Sequence, residues 1–187
     1  MIRRGFLALV VAAGLATGAS AQDAGTLVIE VDGSVQGSIE IALNPDAPQH
    51  AERLKELARA GAYDGVVFHR VIDGFMAQTG DVEFGTQAAL AQGRAGTGGS
   101  SLPDLPAEFS DTPFEKGTVG MARAQDPNSA NSQFFIMFAP APFLDGQYTV
   151  VGQVVAGQDV VDAIRRGEGD NGSVSEPDWM AKVSVKD

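Results

Sequence analysis

Short β-branched and aromatic runs, punctuated by Gly, Pro, Asn and Asp, recur along the chain, and only two stretches show helical spacing. Thr26-Leu27-Val28-Ile29-Glu30-Val31 leads into Asp32-Gly33, a hairpin signal, and then into residues 35–43, where Ile39 and Ile41 alternate with Ser38 and Glu40. An opening hairpin is predicted. Asn44-Pro45-Asp46-Ala47-Pro48 breaks the strand, and Ala51, Leu54, Leu57 and Ala58 recur at helical spacing up to Gly61, which predicts an amphipathic helix with a charged outer face. His50, near its start, reads as a capping or exposed surface residue. Residues 66–72 read as a strand that breaks at Asp73-Gly74. Further strands are predicted over 117–122, 133–138 and 148–155, with a polar, turn-rich loop at 125–131. Residues 158–166, with Val160, Val161 and Ile164, make a second short helix, and Ala181-Lys182-Val183-Ser184-Val185 alternates as a closing strand. Many short strands with two helices far apart predict a closed antiparallel barrel with a helix near each end.

Residues 1–21 change that picture only at its edge. They read as a secretory signal: Arg3 and Arg4, an apolar run over 6–16, and Ala19-Ser20-Ala21 as a small-residue cleavage site, leaving 22–187 as one mature domain. The apolar run falls short of the roughly 20 residues a spanning helix needs, so no stable membrane insertion is expected after cleavage. Arg3-Arg4-Gly5-Phe6-Leu7 also resembles a twin-arginine signal with poor flanks, and both export routes stay open. Either route predicts a soluble periplasmic product, expected as a monomer. Without Arg3 and Arg4, 11 basic residues face 24 acidic ones, a net charge of −13. That balance argues against nucleic acid and anionic membrane surfaces as partners. Cysteine is absent, which excludes disulfides and a thiol nucleophile.

Candidate chemistry concentrates in Phe68-His69-Arg70-Val71-Ile72-Asp73-Gly74-Phe75-Met76-Ala77-Gln78-Thr79-Gly80. An arginine in an apolar strand is either paired to a carboxylate or held at the wall of a cleft. Phe75 and Met76 add a flat apolar surface and a polarisable one, and Gln78 adds an amide that both donates and accepts. The cluster suits a ligand that is apolar on one side and amide-like on the other. Gly93-Arg94-Ala95-Gly96-Thr97-Gly98-Gly99-Ser100-Ser101 has the look of a phosphate loop, but no lysine precedes the serine, and Pro103 and Pro106 prevent a following helix. It reads instead as a mobile or tightly turned surface loop.

Taken together, the Phe-His-Arg…Gly-Phe-Met-x-Gln run, Gly117-Thr118-Val119-Gly120-Met121-Ala122, Ser132-Gln133-Phe134-Phe135-Ile136 and Phe143-Leu144-Asp145-Gly146 resemble the cyclophilin-type peptidyl-prolyl isomerases, in the right order over nearly all of the mature chain. The resemblance implies a closed eight-stranded antiparallel β-barrel capped by two helices, with a packed interior and the active groove outside. It implies Arg70 and Gln78 as catalytic side chains, with Phe75, Met76 and Phe135 as the floor of a proline pocket and Leu144 closing one side. Gln78 and Gln133 match amides that hold the substrate backbone, and Ala122 and Arg123 match the strand along which the substrate lies. Phe143 stands where many eukaryotic members have tryptophan, and Tyr148 where they have histidine; these departures touch cyclosporin binding more than activity. His69 matches a family histidine, but as this chemistry requires no base it reads as a satisfied structural residue.

The expected function is therefore rotation about X–Pro bonds, with proline-containing peptides and unfolded or folding exported proteins as partners. Neither metal nor cofactor is expected, in keeping with the absence of cysteine and of a ligand-spaced His/Asp/Glu cluster. Two other readings stay open: a non-catalytic binder or chaperone of proline-containing segments using the same groove, and a barrel holding a small apolar ligand, which bulky strand residues disfavour.

Overall fold

The computed structural model describes residues 24–186; the expected secretory signal and its cleavage site lie outside the described residues. Strands β1 (Thr26–Asp32) and β2 (Gly37–Leu43) form the expected antiparallel hairpin, with Ile29 opposite Ile39. Their alternation sends Leu27, Ile29, Ile39 and Ile41 fully into the core. Helix α1 (Pro48–Arg59) starts with proline in its first turn, where the missing N–H is harmless, and has no side-chain cap of its own. The carboxylate of Glu108, from a distant loop, accepts the N–H groups of Gln49 at 3.2 Å and His50 at 3.1 Å instead.

That recruited cap corrects the reading of His50. It is fully buried rather than exposed, with Nδ1 2.6 Å from Glu108 Oε2. Partial burial pushes the Glu108 carboxyl up, but hydrogen bonds from the His50 ring and from the backbone of His50 and Gln49 prevail and hold it below the usual glutamate value.

The strand expected over 66–72 is two strands. Val66–Val67 (β3) pairs with the last strand, β9 (Trp179–Lys186), whereas Arg70–Ile72 (β4) pairs with β5 (Met76–Thr79), which the sequence pattern did not single out. With β6 (Thr118–Met121), β7 (Phe134–Met137) and β8 (Val150–Ala156), the ladder runs β3-β9-β1-β2-β8-β6-β7-β5-β4. The fold is mainly antiparallel β with two helices, as expected, but it is an open half-barrel of nine strands and not a closed eight-stranded barrel. The cause is local: Phe68-His69 leaves the sheet between β3 and β4, so the two edges are consecutive in the chain without pairing to each other. The segment 167–174 covers the seam. Gly172 O accepts from Val71 N at 2.7 Å, Gly167 N donates to Val71 O at 2.8 Å, and Val174 N donates to His69 O at 3.2 Å.

Helix α2 (Gln158–Ala163) ends before the expected residue 166, because Ile164 turns extended (φ −53°, ψ 133°) and drops into the core. The main core fills the concave side under α1 and α2. A second cluster, with Met76, Phe114, Phe135, Met137, Leu144 and Val150, lies on the other face of β5 and β7.

Candidate active site

Register and the two-residue period of a strand decide which side chains meet. Across β5 and β7, Ala77 opposes Ile136 and both face the main core, so Met76, Gln78, Phe135 and Met137 belong to the outer face. Arg70 opposes Gln78, Gln78 opposes Phe135, and Phe135 opposes Gly120. One lateral row across four strands thus carries a cation, an amide, an aromatic ring and a gap. The gap is needed: a Cβ on Gly120 would lie 2.5 Å from Phe135 Cζ and 2.7 Å from Phe114 Cε1. Phe114 stacks on Phe135 at 5.8 Å between centroids, and Tyr148 meets Phe135 edge-on at 5.9 Å.

Turns supply the remaining walls. Gly74 takes φ +68° in the Asp73-Gly74 turn, which presents Phe75. Arg166 steadies that turn through Asp73 Oδ1 at 2.9 Å, with its guanidinium 4.0 Å above the Phe138 ring. A 3₁₀ turn, Pro142–Leu144, places buried Leu144 beside Phe143, which is 64% exposed with its ring 5.7 Å from Phe75. The result is a pocket of about 280 Å³ lined by Arg70, Phe75, Met76, Gln78, Ala122, Arg123, Phe135, Phe143, Leu144 and Tyr148. It gathers every candidate from the sequence except Gln133.

Among the described residues Arg70 makes no buried pair with a carboxylate. Its Nε donates to Asn171 O at 3.0 Å and its Nη1 to Gln78 Oε1 at 3.1 Å, so two neutral acceptors orient an uncompensated guanidinium. Arg123 donates to the carbonyls of Ala124 (2.9 Å), Gln125 (3.3 Å) and Gln147 (2.9 Å) and lies 4.4 Å over Tyr148, stapling two loops at the pocket rim. His69 is buried behind Arg70, and among the described residues its ring nitrogens make no hydrogen bond of good geometry, only a looser approach to the Val67 carbonyl, so it is less well satisfied than its sequence reading expects. Burial, reinforced by the Arg70 cation, holds its imidazole below the ordinary histidine pKa against the opposing pulls of the Asp81 carboxylate and the Val67 carbonyl.

Gln133 lies beyond Gln78, in the wall of an adjoining depression of about 490 Å³ that shares Gln78, Ala122 and Arg123 with the pocket. The glycine-rich segment at 93–101 is tightly turned there, with Gly96, Thr97, Gly98, Gly99 and Ser100 in the wall alongside Asp104, Ser129 and Asn131. Sequence reasoning missed this second depression. Its one signal was glycine density, since Gly98 admits no Cβ: one would lie 2.6 Å from Asp81 Oδ1. Asn171, which orients Arg70 through its backbone carbonyl, left no signal, because any residue supplies that group. Among the described residues no cluster of three or more His, Asp or Glu is placed to hold a metal ion, and no helix is long and apolar enough to cross a membrane.

Fold and site together define a β half-barrel that carries an amino-acid-sized apolar pocket, with a guanidinium in its wall, on its outer face. Residues 26–185 match the family model described as cyclophilin type peptidyl-prolyl cis-trans isomerase/CLD. A probable peptidyl-prolyl cis-trans isomerase of Brucella suis biovar 1 (strain 1330) is 54% identical over 184 residues, covering 97% of this chain and 92% of the relative. Among solved structures, a cyclophilin from Hirschia baltica superposes with a TM-score of 0.71 at 26% identity, covering 86% of this chain and 73% of that one. A cyclophilin type isomerase of Cryptosporidium parvum, crystallised in the presence of the dipeptide Ala-Pro, shares the fold with a TM-score of 0.72 at 22% identity, covering 87% and 99%. The chain belongs to the cyclophilin-type peptidyl-prolyl cis-trans isomerase family.

Proposed function

We propose that this isomerase turns X–Pro bonds in the pocket of Phe75, Met76, Phe135 and Leu144, with Arg70 as the transition-state donor. The carrying observation is Arg70 itself, oriented by Gln78 and Asn171 and, among the described residues, left without a paired carboxylate at the wall of a pocket with an apolar floor. An X–Pro amide rotates slowly because rotation breaks resonance, with a barrier of roughly 18–20 kcal/mol. In the twisted state the prolyl nitrogen becomes pyramidal and gains a lone pair. A guanidinium N–H aimed at that nitrogen therefore binds the transition state better than the planar ground state. The apolar floor holds the ring, while Gln78 and the backbone beside Ala122 and Arg123 hold the flanking peptide, so that rotation occurs about one bond. No proton is transferred, and His69 takes no part.

The substrates we infer are proline-containing peptides and proteins still folding. The export-signal pattern of residues 1–21 supports a periplasmic enzyme that assists folding of exported proteins. A protease-coupled assay on a proline tetrapeptide tests the site: Arg70→Ala is expected to lower kcat/KM by about tenfold to a thousandfold with an unchanged circular dichroism spectrum. Wild-type turnover in the folded variant would overturn the assignment. Fractionation of the native host, with the mature protein in the cytoplasm, would overturn the export reading.

A further inference from the structure

Asp81 is fully buried, outside both depressions, and four backbone N–H groups converge on it. Its Oδ1 accepts from Glu83 at 3.1 Å and Phe84 at 2.9 Å, closing its own turn. Its Oδ2 accepts from Gly96 at 2.7 Å and Gly98 at 3.0 Å, which lie on the glycine-rich loop packed against it. The carbonyls of the same two glycines accept from Gln133 Nε2, at 3.0 and 2.8 Å. From there a one-way chain continues: Gln78 Nε2 donates to Gln133 Oε1 at 3.0 Å, and Arg70 Nη1 donates to Gln78 Oε1 at 3.1 Å.

An amide side chain can be turned end for end, and only its neighbours decide which end faces where. Two carbonyls at Gly96 and Gly98 admit only the NH₂ end of Gln133. Its oxygen is thereby presented to Gln78, whose own oxygen is in turn presented to Arg70. If the loop moved away, both amides could reverse, and an NH₂ group would face the guanidinium donor to donor. Arg70 would then lose the partner that aims it.

We propose that Asp81 is a positioning residue for the isomerisation: by gathering Gly96 and Gly98 it sets the polarity of the Gln133–Gln78 chain and, through it, the aim of Arg70. The inference rests on Arg70 being the transition-state donor. The carboxylate suits the task because it alone offers acceptors to two separate pairs of N–H groups, and burial keeps water from competing for them.

Asp81→Asn keeps the volume but supplies an NH₂ where one pair of N–H groups needs an acceptor. The expected result is a fall in kcat of about tenfold to a hundredfold, as for a displaced catalytic group, and larger than the rise in KM, because the proline floor is untouched and only the Gln78 hold on the flanking peptide is weakened. The Arg70 Nε–H and the Gln78 and Gln133 amide resonances should shift in ¹H–¹⁵N spectra, while those of β1 and β2 stay in place. In a Gln133→Ala background, where the chain is already cut, Asp81→Asn should cost less than about a further twofold. Gly98→Ala provides the same test with Asp81 intact, since its Cβ would lie 2.6 Å from Asp81 Oδ1 and 2.8 Å from Glu83 Cβ and must move the loop. That variant decides the matter if Asp81→Asn does not fold. Wild-type kcat with an unmoved Arg70 resonance would overturn the proposal, as would an undiminished loss in the Gln133→Ala background. Should Arg70→Ala be inactive and Asp81→Asn fully active, only the role of Asp81 falls; should Arg70→Ala be active, the reading of the site falls first and this inference with it.

Discussion

Arg70 and Gln78 oppose each other across β4 and β5, and Arg70 Nη1 donates to Gln78 Oε1 at 3.1 Å. An eight-residue separation in sequence becomes a direct cross-strand pair because the Asp73-Gly74 turn folds one strand back on the other. The partner is an uncharged amide, so the pairing orients the guanidinium without neutralising it.

Arg70→Lys should therefore behave almost as Arg70→Ala, with kcat/KM lowered at least about tenfold, because an ammonium lacks the planar fork that can reach Gln78, Asn171 and a substrate nitrogen together. Gln78→Leu, which keeps the bulk and removes the acceptor, should lower kcat by about tenfold. The protease-coupled assay checks both, and full activity of the lysine variant would count against a geometric role for the fork.

Gly120→Ala should disturb the pocket from beneath. Its Cβ meets Phe135 and Phe114 at 2.5 and 2.7 Å, and the stacked rings must yield towards the proline floor. A loss of roughly 1–3 kcal/mol in stability is expected from such overpacking, together with a raised KM. Denaturant titration and substrate saturation curves measure the two effects.

Activity should stay nearly flat between about pH 6 and 9, since no proton is transferred and arginine keeps its charge. Stability should behave differently. Buried His69 titrates below its unfolded value of about 6.5, so as pH falls through that value the unfolded chain binds a proton that the native one refuses. Its contribution is whole above about pH 6.5 and declines towards its lower native pKa. His69→Leu gives up only the loose contact with the Val67 carbonyl and should remove this part of the slope. Denaturation midpoints of both forms across pH 5–8 check it, and equal slopes would refute it.

Phe143 keeps an aromatic ring at the rim, 64% exposed, without an indole N–H. If cyclosporin binds here as the family resemblance implies, a carbonyl that tryptophan would satisfy would be buried unpaired, at about 1–3 kcal/mol, or roughly fivefold to a hundredfold in affinity. Phe143→Trp should tighten inhibition by that factor with kcat/KM nearly unchanged. Inhibition constants of the two forms decide it.

The opening hairpin, α1, the antiparallel character of the sheet and most of the residues that line the outer-face pocket were legible in the chain, because alternation, turn residues and helical spacing are local and those lining residues fall in recognisable runs. Tertiary structure alone decided the rest. Whether the barrel closes depends on Phe68-His69 leaving the sheet, and two local β-rich runs look the same whether or not an unpaired dipeptide divides them. His50 reads as a surface residue until Glu108, 58 positions away, comes in to cap its helix. The hydrogen-bonded chain from Asp81 to Arg70 crosses three loops and strands, and the choice of which amide end faces which neighbour exists only once those neighbours are assembled. A sequence specifies donors and acceptors; only packing gives them a direction.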